Sequence, residues 1–544
     1  MQPRPRPAAP VVGATAEAES SPQDAARSPG RWTWSWRKAA AYTLAGAALF
    51  SVYLRLSNTS ALNSDSSNYL LMAWDLLHGN VLLHGWYMSD VSVYTTELPQ
   101  YMLVEFLRGL NQDVVHVAAA MTYTLAILLA ALLAKGTATG RQALVRALIA
   151  VGIMLAPQLA SGVNILLSSP DHIGTSVPVM VTWLILDHAR SRWYVPVIAG
   201  VFLGWAVVAD MLVFYIGILP LVAVCAIRIY WAVAIDHKPL ASQRYDMALG
   251  AAALAGTAAA ILALHVIRAQ GGFYMPVPAA HFAGGTALIR NLGITGQGLL
   301  LLGGADFLGL RPAAGTVPTI LHLAGVSLAA WGTGLAAWRF LRDRDLVAQL
   351  LVAGVAINLA VYVLSTKANV VTQTREIAAV LPFSAALAGR VLAGRLEAAR
   401  LAPLLLLVLL GYLVGLAYEL GQPPADAQNQ RLTSWLLARH LHSGLSGYWE
   451  SNVVTLTSGD RVQIREVVPS GARLAPGTRE SKTQWYDPGQ STANFIVLFP
   501  GVAGYPGFTQ QRAVLTTFGQ PERTYHVGSY TVLVWNRNLL RELP

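Results

Sequence analysis

The 544-residue chain has one cysteine, Cys225, and little charge. A single thiol allows no intramolecular disulfide and no cysteine-rich metal site. Cys225 stands in an apolar run and reads as a packed core residue. Asp, Glu, Lys and Arg make up 12% of the chain against 54% hydrophobic residues, where a soluble domain carries about 25% charge. With a mean hydropathy of +0.46, this shortage excludes an ordinary soluble protein. It leaves a multi-span membrane protein, because hydrocarbon satisfies no backbone donor or acceptor and each span must supply its own as a helix of roughly 20 residues. Acidic residues are scarcer than basic ones, 28 against 38, for a net charge of +10. Nucleic acid is excluded as a partner even so. The basic residues are scattered over short turns between apolar runs, as the positive-inside rule describes, and not gathered on one soluble face.

The first 36 residues, rich in Pro, Ala, Ser and Arg, read as a disordered cytoplasmic tail. "RWTWSWRKAA" then sets aromatic anchors and positive charge before the first apolar run, which lacks a convincing cleavage signal and reads as a retained helix. Eleven transmembrane helices are expected, near 39–56, 113–134, 145–161, 173–189, 194–209, 211–232, 247–267, 317–338, 346–364, 377–394 and 401–420. Every turn on one side is basic-rich, from Lys135, Arg141 and Arg146 to Arg390, Arg395 and Arg400, and that side is taken as cytoplasmic. The first loop on the other side carries five acidic residues against Arg108 alone.

Residues 37–420 therefore read as an all-α polytopic membrane domain in the plasma membrane. An odd number of spans places 421–544 outside the cytoplasm. This end segment reads as a small α/β domain: "QNQRLTSWLLARHLHSGL" has helical spacing. "NVVTLTSG", "RVQIREVV", "NFIVLF" and "YTVLVWNR" are strand-like runs between turn residues. Tyr448, Trp449, Trp485 and Tyr486 within it fit either sugar stacking or core packing.

The stretch from Leu62 to Tyr101 is too apolar for a surface loop, yet carries Asp65, Asp75, Asp90 and Glu97. From Ser66 to His78, Tyr69, Met72, Ala73 and Leu76 recur at helical spacing, which predicts an amphipathic helix lying in the membrane interface. Asp65, just before it, fits both a helix N-cap and a catalytic base at the membrane boundary. Asp90 has no helix to cap and fits a turn or a short re-entrant segment. Glu97 fits a helix start, where an acid favours the dipole. His78 and His84 fit interfacial hydrogen bonding or a metal pair. Asp210 stands where two spans meet, and charge at that depth marks a cavity, a function or a helix break.

These residues resemble the GT-C superfamily of membrane glycosyltransferases, which includes protein O-mannosyltransferases, lipid A aminoarabinose transferases and bacterial oligosaccharyltransferases. The layout of residues 39–420 is similar, with one helix, an acidic loop with two interfacial helices, and many further spans. Asp65, Tyr69 and the run Ala73 to Gly79 follow the superfamily's pattern of Asp, aromatic and A-x-x-L-x-x-G. "YTTELPQY" stands where a Y-x-x-K-P-P-L-x-Y segment is usual, with Glu97 for the Lys and Pro99 alone. "QTREIAAVLPF" supplies the Arg of a late R-Y-x-L-P landmark as Arg375, with Glu376 for the aromatic.

The resemblance implies transfer of a hexosyl or pentosyl unit from a polyprenyl-phosphate sugar to a glycan, lipid or protein acceptor on the outer face. Asp65 would be the general base, with Asp90 as a second catalytic carboxylate. Arg375 and Lys367 would meet the lipid phosphate, and Asp171, His172, Asp210 and Glu97 would complete the substrate site. A divalent ion held by Asp171, His172 and Asp90 is a further possibility. The end domain is expected to aid acceptor recognition. The competing reading is a transporter or lipid flippase, although no repeated halves are visible.

Overall fold

The computed structural model describes residues 36–157, 165–170, 172–189, 191–276, 281–307, 316–425, 429–502 and 505–544. The chain divides into two units, Met1–Ala45 and Gly46–Pro544. The described part of the first is the opening of helix α1 (Trp36–Ser57); everything below concerns the second.

Helices occupy each segment where the sequence predicts one. They are α1, α4 (Asp113–Lys135), α5 (Gly140–Met154), α6 (Ile173–His188), α7 (Tyr194–Ala209), α8 (Leu219–Tyr230, with a π-helical turn at each end), α9 (Arg244–Ala269), α11 (Thr316–Trp338), α12 (Leu346–Leu364), α13 (Val380–Ala398) and α14 (Ala402–Leu420). Among the described residues, seven helices are long and apolar enough to cross a membrane. They become eight if the 3₁₀ segment Val371–Ile377 and α13, bent by 55°, form one span. The protein is thus a multi-pass membrane protein. The count falls below the expected eleven because α5, α6 and α7 run only 15 or 16 residues.

One further helix, α10 (Gly285–Leu302), was not expected. Arg290 and Asn291 interrupt its apolar run. Asn291 is fully buried, and its amide donates to the Val363 and Ser365 carbonyls at the end of α12, each at 2.9 Å.

Arg390, expected to be one of the loop charges, is a correction. Its guanidinium is 10% exposed and clamps four helices. It donates to both Asp187 oxygens of α6 at 2.7 and 3.0 Å, to Asp345 ahead of α12 at 2.7 Å, and to the Leu133 carbonyl of α4 at 2.7 Å. Asp345 also caps α12 through the Ala348 amide. Removing the cation strands two carboxylates. Arg390→Met is therefore expected to cost about 3–5 kcal/mol, read as an earlier unfolding midpoint of the detergent-solubilised protein, and an unchanged midpoint would contradict the clamp.

The segment between α1 and α4 holds α2 (Ser64–Leu77), strand β1 (Trp86–Tyr87) and α3 (Glu97–Arg108). The C-terminal segment holds α15 (Gln430–Ala438), β2 (Ser443–Ser446), α16 (Tyr448–Thr457), β3 (Gln463–Ser470), β4 (Arg473–Pro476), β5 (Ser481–Lys482), β6 (Phe495–Val502), β7 (Tyr505–Phe508), α17 (Gln511–Phe518), β8 (Arg523–Val527) and β9 (Tyr530–Val534). Its sheet runs β4-β3-β2-β6-β9-β8, with β7 on β6; β2 lies parallel to β3 and β6, and the other pairs are antiparallel.

"RVQIREVV", "NFIVLF" and "YTVLVWNR" form strands as predicted. "NVVTLTSG" instead ends α16, a helix buried from Glu450 to Leu456, where Val453, Val454 and Leu456 share a core with α2 and the sheet. Tertiary packing overrides β-branched propensity there.

The two segments share one core. Leu70, Leu83, Trp86 and Leu98 pack with Leu432, Val454, Ile464 and Phe495. Strand β1 pairs antiparallel with β5, and Lys482 bonds both oxygens of Asp75 at 2.8 and 3.0 Å. The helix α2 is accordingly enclosed by protein along Ser66–Ala73, where the sequence predicts an interfacial helix with a wet polar face.

Candidate active site

Asn63 takes the cap of α2: its Oδ1 accepts from the Ser66 amide at 3.0 Å and completes a capping box. Asp65, the second residue of the helix, is thereby released from the capping role that the sequence also allowed. Its side chain is 14% exposed. Oδ2 faces Arg375 Nη1 at 3.5 Å, from the 3₁₀ segment that opens α13. Oδ1 accepts from the Tyr448 hydroxyl of α16 and stands 3.9 Å from Arg479. The base candidate is thus flanked by two cations and a phenol drawn from three distant parts of the chain.

Beside this group lies a cavity of about 570 Å³. Tyr215, Ile261, Leu264 and Val361 give it apolar walls, contributed by the approach to α8, by α9 and by α12. Its polar end is a string of alternating charge. Lys367 Nζ bonds Asp90 at 2.5 Å and faces Glu376 at 3.6 Å. Glu376 is 4.0 Å from His172 Nε2, and His172 Nδ1 is 3.2 Å from Asp210. Asp210 also accepts from the Thr175 hydroxyl at 2.6 Å and the Leu212 amide at 2.8 Å.

Burial raises the Asp90 carboxyl, but the hydrogen bond from Lys367 and the charges of Lys367, His172 and Arg375 outweigh it, so its pKa lies below the ordinary value. Burial likewise opposes the Lys367 charge, and the Glu376 and Asp90 carboxylates more than restore it, raising its pKa. The Asp90 contribution is lost only as pH falls through its lowered pKa, and that of Lys367 only as pH rises through its raised one. The pair therefore stays charged across the neutral range.

The fold has counterparts among solved structures. ArnT from Cupriavidus metallidurans in the apo state aligns over 93% of this chain and 99% of that one, at 13% identity and a TM-score of 0.51. The chain shares the fold of that ArnT. ArnT from the same organism bound to undecaprenyl phosphate aligns over 91% of this chain and 98% of its own, at 11% identity and a TM-score of 0.52. The apo oligosaccharyltransferase of Archaeoglobus fulgidus covers 86% of this chain and 70% of its own at 15% identity, with a TM-score of 0.47. No family model and no curated protein matches the sequence.

The fold brings Asp65 to Arg375 and sets Asp90, His172, Asp210 and Lys367 around one cavity. Asp171 lies outside the described residues. Glu97 opens α3 as expected, is 2% exposed and accepts from the Thr96 hydroxyl. It sits against Gly174, two residues from His172, and does not line the cavity. Asp210 breaks the chain between α7 and the π-helical turn at Phe214, and is 5% exposed.

Lys367 places a cation between Asp90 and Glu376, and among the described residues, which leave out Asp171, no group of three acidic, His or Cys side chains could hold a metal. His78 bonds the Trp74 carbonyl and His84 the Gly271 carbonyl, so they form no pair. Tyr448, Arg479, Glu480 and Asn68 were not singled out as polar site residues. Tyr448 is 383 residues from Asp65, and nothing local in the sequence joins them. Trp485 and Tyr486 are packing residues: Trp485 meets Trp86 at 5.0 Å, and the Tyr486 hydroxyl donates to the Glu466 carbonyl at 2.7 Å.

Proposed function

We propose that the protein is a glycosyltransferase that moves a hexosyl or pentosyl unit from a polyprenyl-phosphate donor to a glycan, lipid or protein acceptor on the outer face of the membrane. The observation that carries this is the adjacency of two unlike sites. An apolar cavity beside membrane-length helices ends in Lys367 and Asp90, and Arg375, whose charge reaches Asp90, faces the carboxylate of Asp65. A polyprenyl chain suits the cavity walls, a phosphate suits the cations, and an acceptor hydroxyl suits Asp65. A chain of the same fold has been captured with undecaprenyl phosphate.

In the proposed reaction the acceptor oxygen attacks the anomeric carbon while Asp65 Oδ2 takes its proton. The bond from that carbon to the phosphate oxygen breaks, and the electron pair leaves on the polyprenyl phosphate. Lys367 and Arg375 meet the charge that develops there. His172 and Asp210 hold each other at the cavity wall, where they position the sugar. The proposal carries with it eleven spans, a cytoplasmic N-terminus at 1–36, a membrane domain at 37–420 and an outer α/β domain at 421–544 that covers the acceptor side.

Vesicles holding the purified chain and radiolabelled undecaprenyl-phosphate hexoses and pentoses test the reading. Label transferred to an acceptor supports it. Intact donor moved across the bilayer without transfer would replace it with a flippase.

A further inference from the structure

The cluster behind Asp65 contains a group that the proposed reaction does not use. Glu480 lies in the turn that leads into β5. It is 2% exposed, and its Oε2 contacts both the Tyr448 hydroxyl and the Asn68 amide of α2. Its own carbonyl accepts from Asn452 at 3.2 Å, and Asn452 in turn bonds Asn68. The Tyr448 hydroxyl also contacts Asp65. One phenol thus bridges two carboxyl groups.

The proton count decides how. A phenol has one O–H and can donate to one carboxylate only. If it donates to Asp65, the close contact with Glu480 needs a second proton, carried by Glu480 and donated to the phenol oxygen. Asn68 can only donate from its amide nitrogen, which suits the remaining lone pairs of Glu480 and of the phenol, the latter at 3.3 Å. The charges agree. Asp65 has Arg375 at 3.5 Å and Arg479 at 3.9 Å, whereas the side-chain oxygen of Glu480 is met by the Tyr448 hydroxyl and the Asn68 amide and feels the negative charge of Asp65. The turn is also held in an unfavourable conformation. Glu480 has φ of +47°, a region where a side chain is uncommon and glycine is the usual occupant.

We infer that Glu480 is a positioning residue for the transfer reaction: as a neutral acid it directs the Tyr448 hydroxyl onto Asp65 and so keeps the base aimed at the acceptor. This rests on the reading of Asp65 as the base. Burial, and next the negative charge of Asp65, push the Glu480 carboxyl up to about 7, against the opposing charge of Arg479 and the hydrogen bonds from Tyr448 and Asn68. The other titratable groups around it are Tyr448 of α16, Arg375 of the 3₁₀ segment and Glu466 of β3, whose own carboxyl is raised by burial.

Loss of the Glu480 proton sets two negative carboxylates on one phenol and releases Asp65 from its orientation. The transfer rate should then fall about tenfold per pH unit above the Glu480 pKa. Glu480→Gln keeps a donor at this position without a titration, so it should retain most of the rate at pH 6 and lose this alkaline limb.

Infrared difference spectra of the full chain in lipid nanodiscs test the inference without any substrate. A protonated carboxyl band that vanishes as pH rises through about 7 is expected in the native chain. The native-minus-Glu480→Gln difference should contain this band, the Glu466 carboxyl being common to both chains, and the band should shift in Tyr448→Phe, which keeps the packing and removes the bridge. Its absence from the native chain, or an equal band in the native chain and Glu480→Gln, overturns the proposal whatever the activity proves to be. An activity profile with the radiolabelled donor panel that keeps its alkaline limb in Glu480→Gln would also overturn it. Full transfer by Asp65→Ala would instead remove the base assignment and leave the Glu480 band intact, so the two failures are distinguishable.

Discussion

Asp65→Asn is expected to lower kcat for sugar transfer by roughly 100- to 10,000-fold, the range of a positioned general base. Asparagine keeps the shape of the side chain. Its amide oxygen still accepts from Tyr448, and the capping of α2 by Asn63 is untouched. The variant should therefore insert, fold and bind undecaprenyl phosphate like the native chain, with the loss confined to kcat. Steady-state transfer from a radiolabelled donor, alongside undecaprenyl phosphate binding, separates these effects. Native kcat in Asp65→Asn would remove the base from this position. Native kcat with lost binding would reassign Asp65 to the donor site.

Lys367→Met should weaken undecaprenyl phosphate binding by about 10- to 150-fold, the loss of one charge-assisted hydrogen bond worth roughly 1.5–3 kcal/mol. Methionine keeps most of the stem and removes the ammonium. Asp90 and Glu376, now 2.5 and 3.6 Å from that ammonium, would then face the incoming phosphate uncompensated. Adding Asp90→Asn to Lys367→Met should recover part of the affinity, because one of the two repelling charges is gone. Lys367→Arg should keep more affinity than Lys367→Met. Titration of the purified variants with undecaprenyl phosphate checks all three, and native affinity in Lys367→Met would contradict a phosphate at that end of the cavity.

Much of the fold was legible because hydrophobic runs leave little choice in a membrane. Each long apolar stretch became a helix, and α10 escaped because Arg290 and Asn291 sit in its run, the latter buried through contacts with the end of α12. The loop residues were legible for a different reason. Carboxylates and a lysine are costly near hydrocarbon, so Asp65, Asp90, Asp210 and Lys367 stood out against an apolar background. What the sequence hid was pairing. Asn63 rather than Asp65 caps α2, a matter of two residues that only backbone angles resolve. Arg390 looks like any turn arginine, and its burial depends on Asp187 and Asp345 arriving from other helices. Tyr448 and Glu480 carry no local signal, since their meaning comes from α2 packing on α16 and β1 pairing with β5.

The most direct test is a cryo-EM map of the chain in lipid nanodiscs with undecaprenyl phosphate. The expected map places the prenyl chain along Tyr215, Ile261 and Val361, with the phosphate within about 4 Å of Lys367 and facing Arg375. A lipid phosphate bound elsewhere, with the cavity beside Asp90 filled only by water, would contradict a lipid-linked donor at this site.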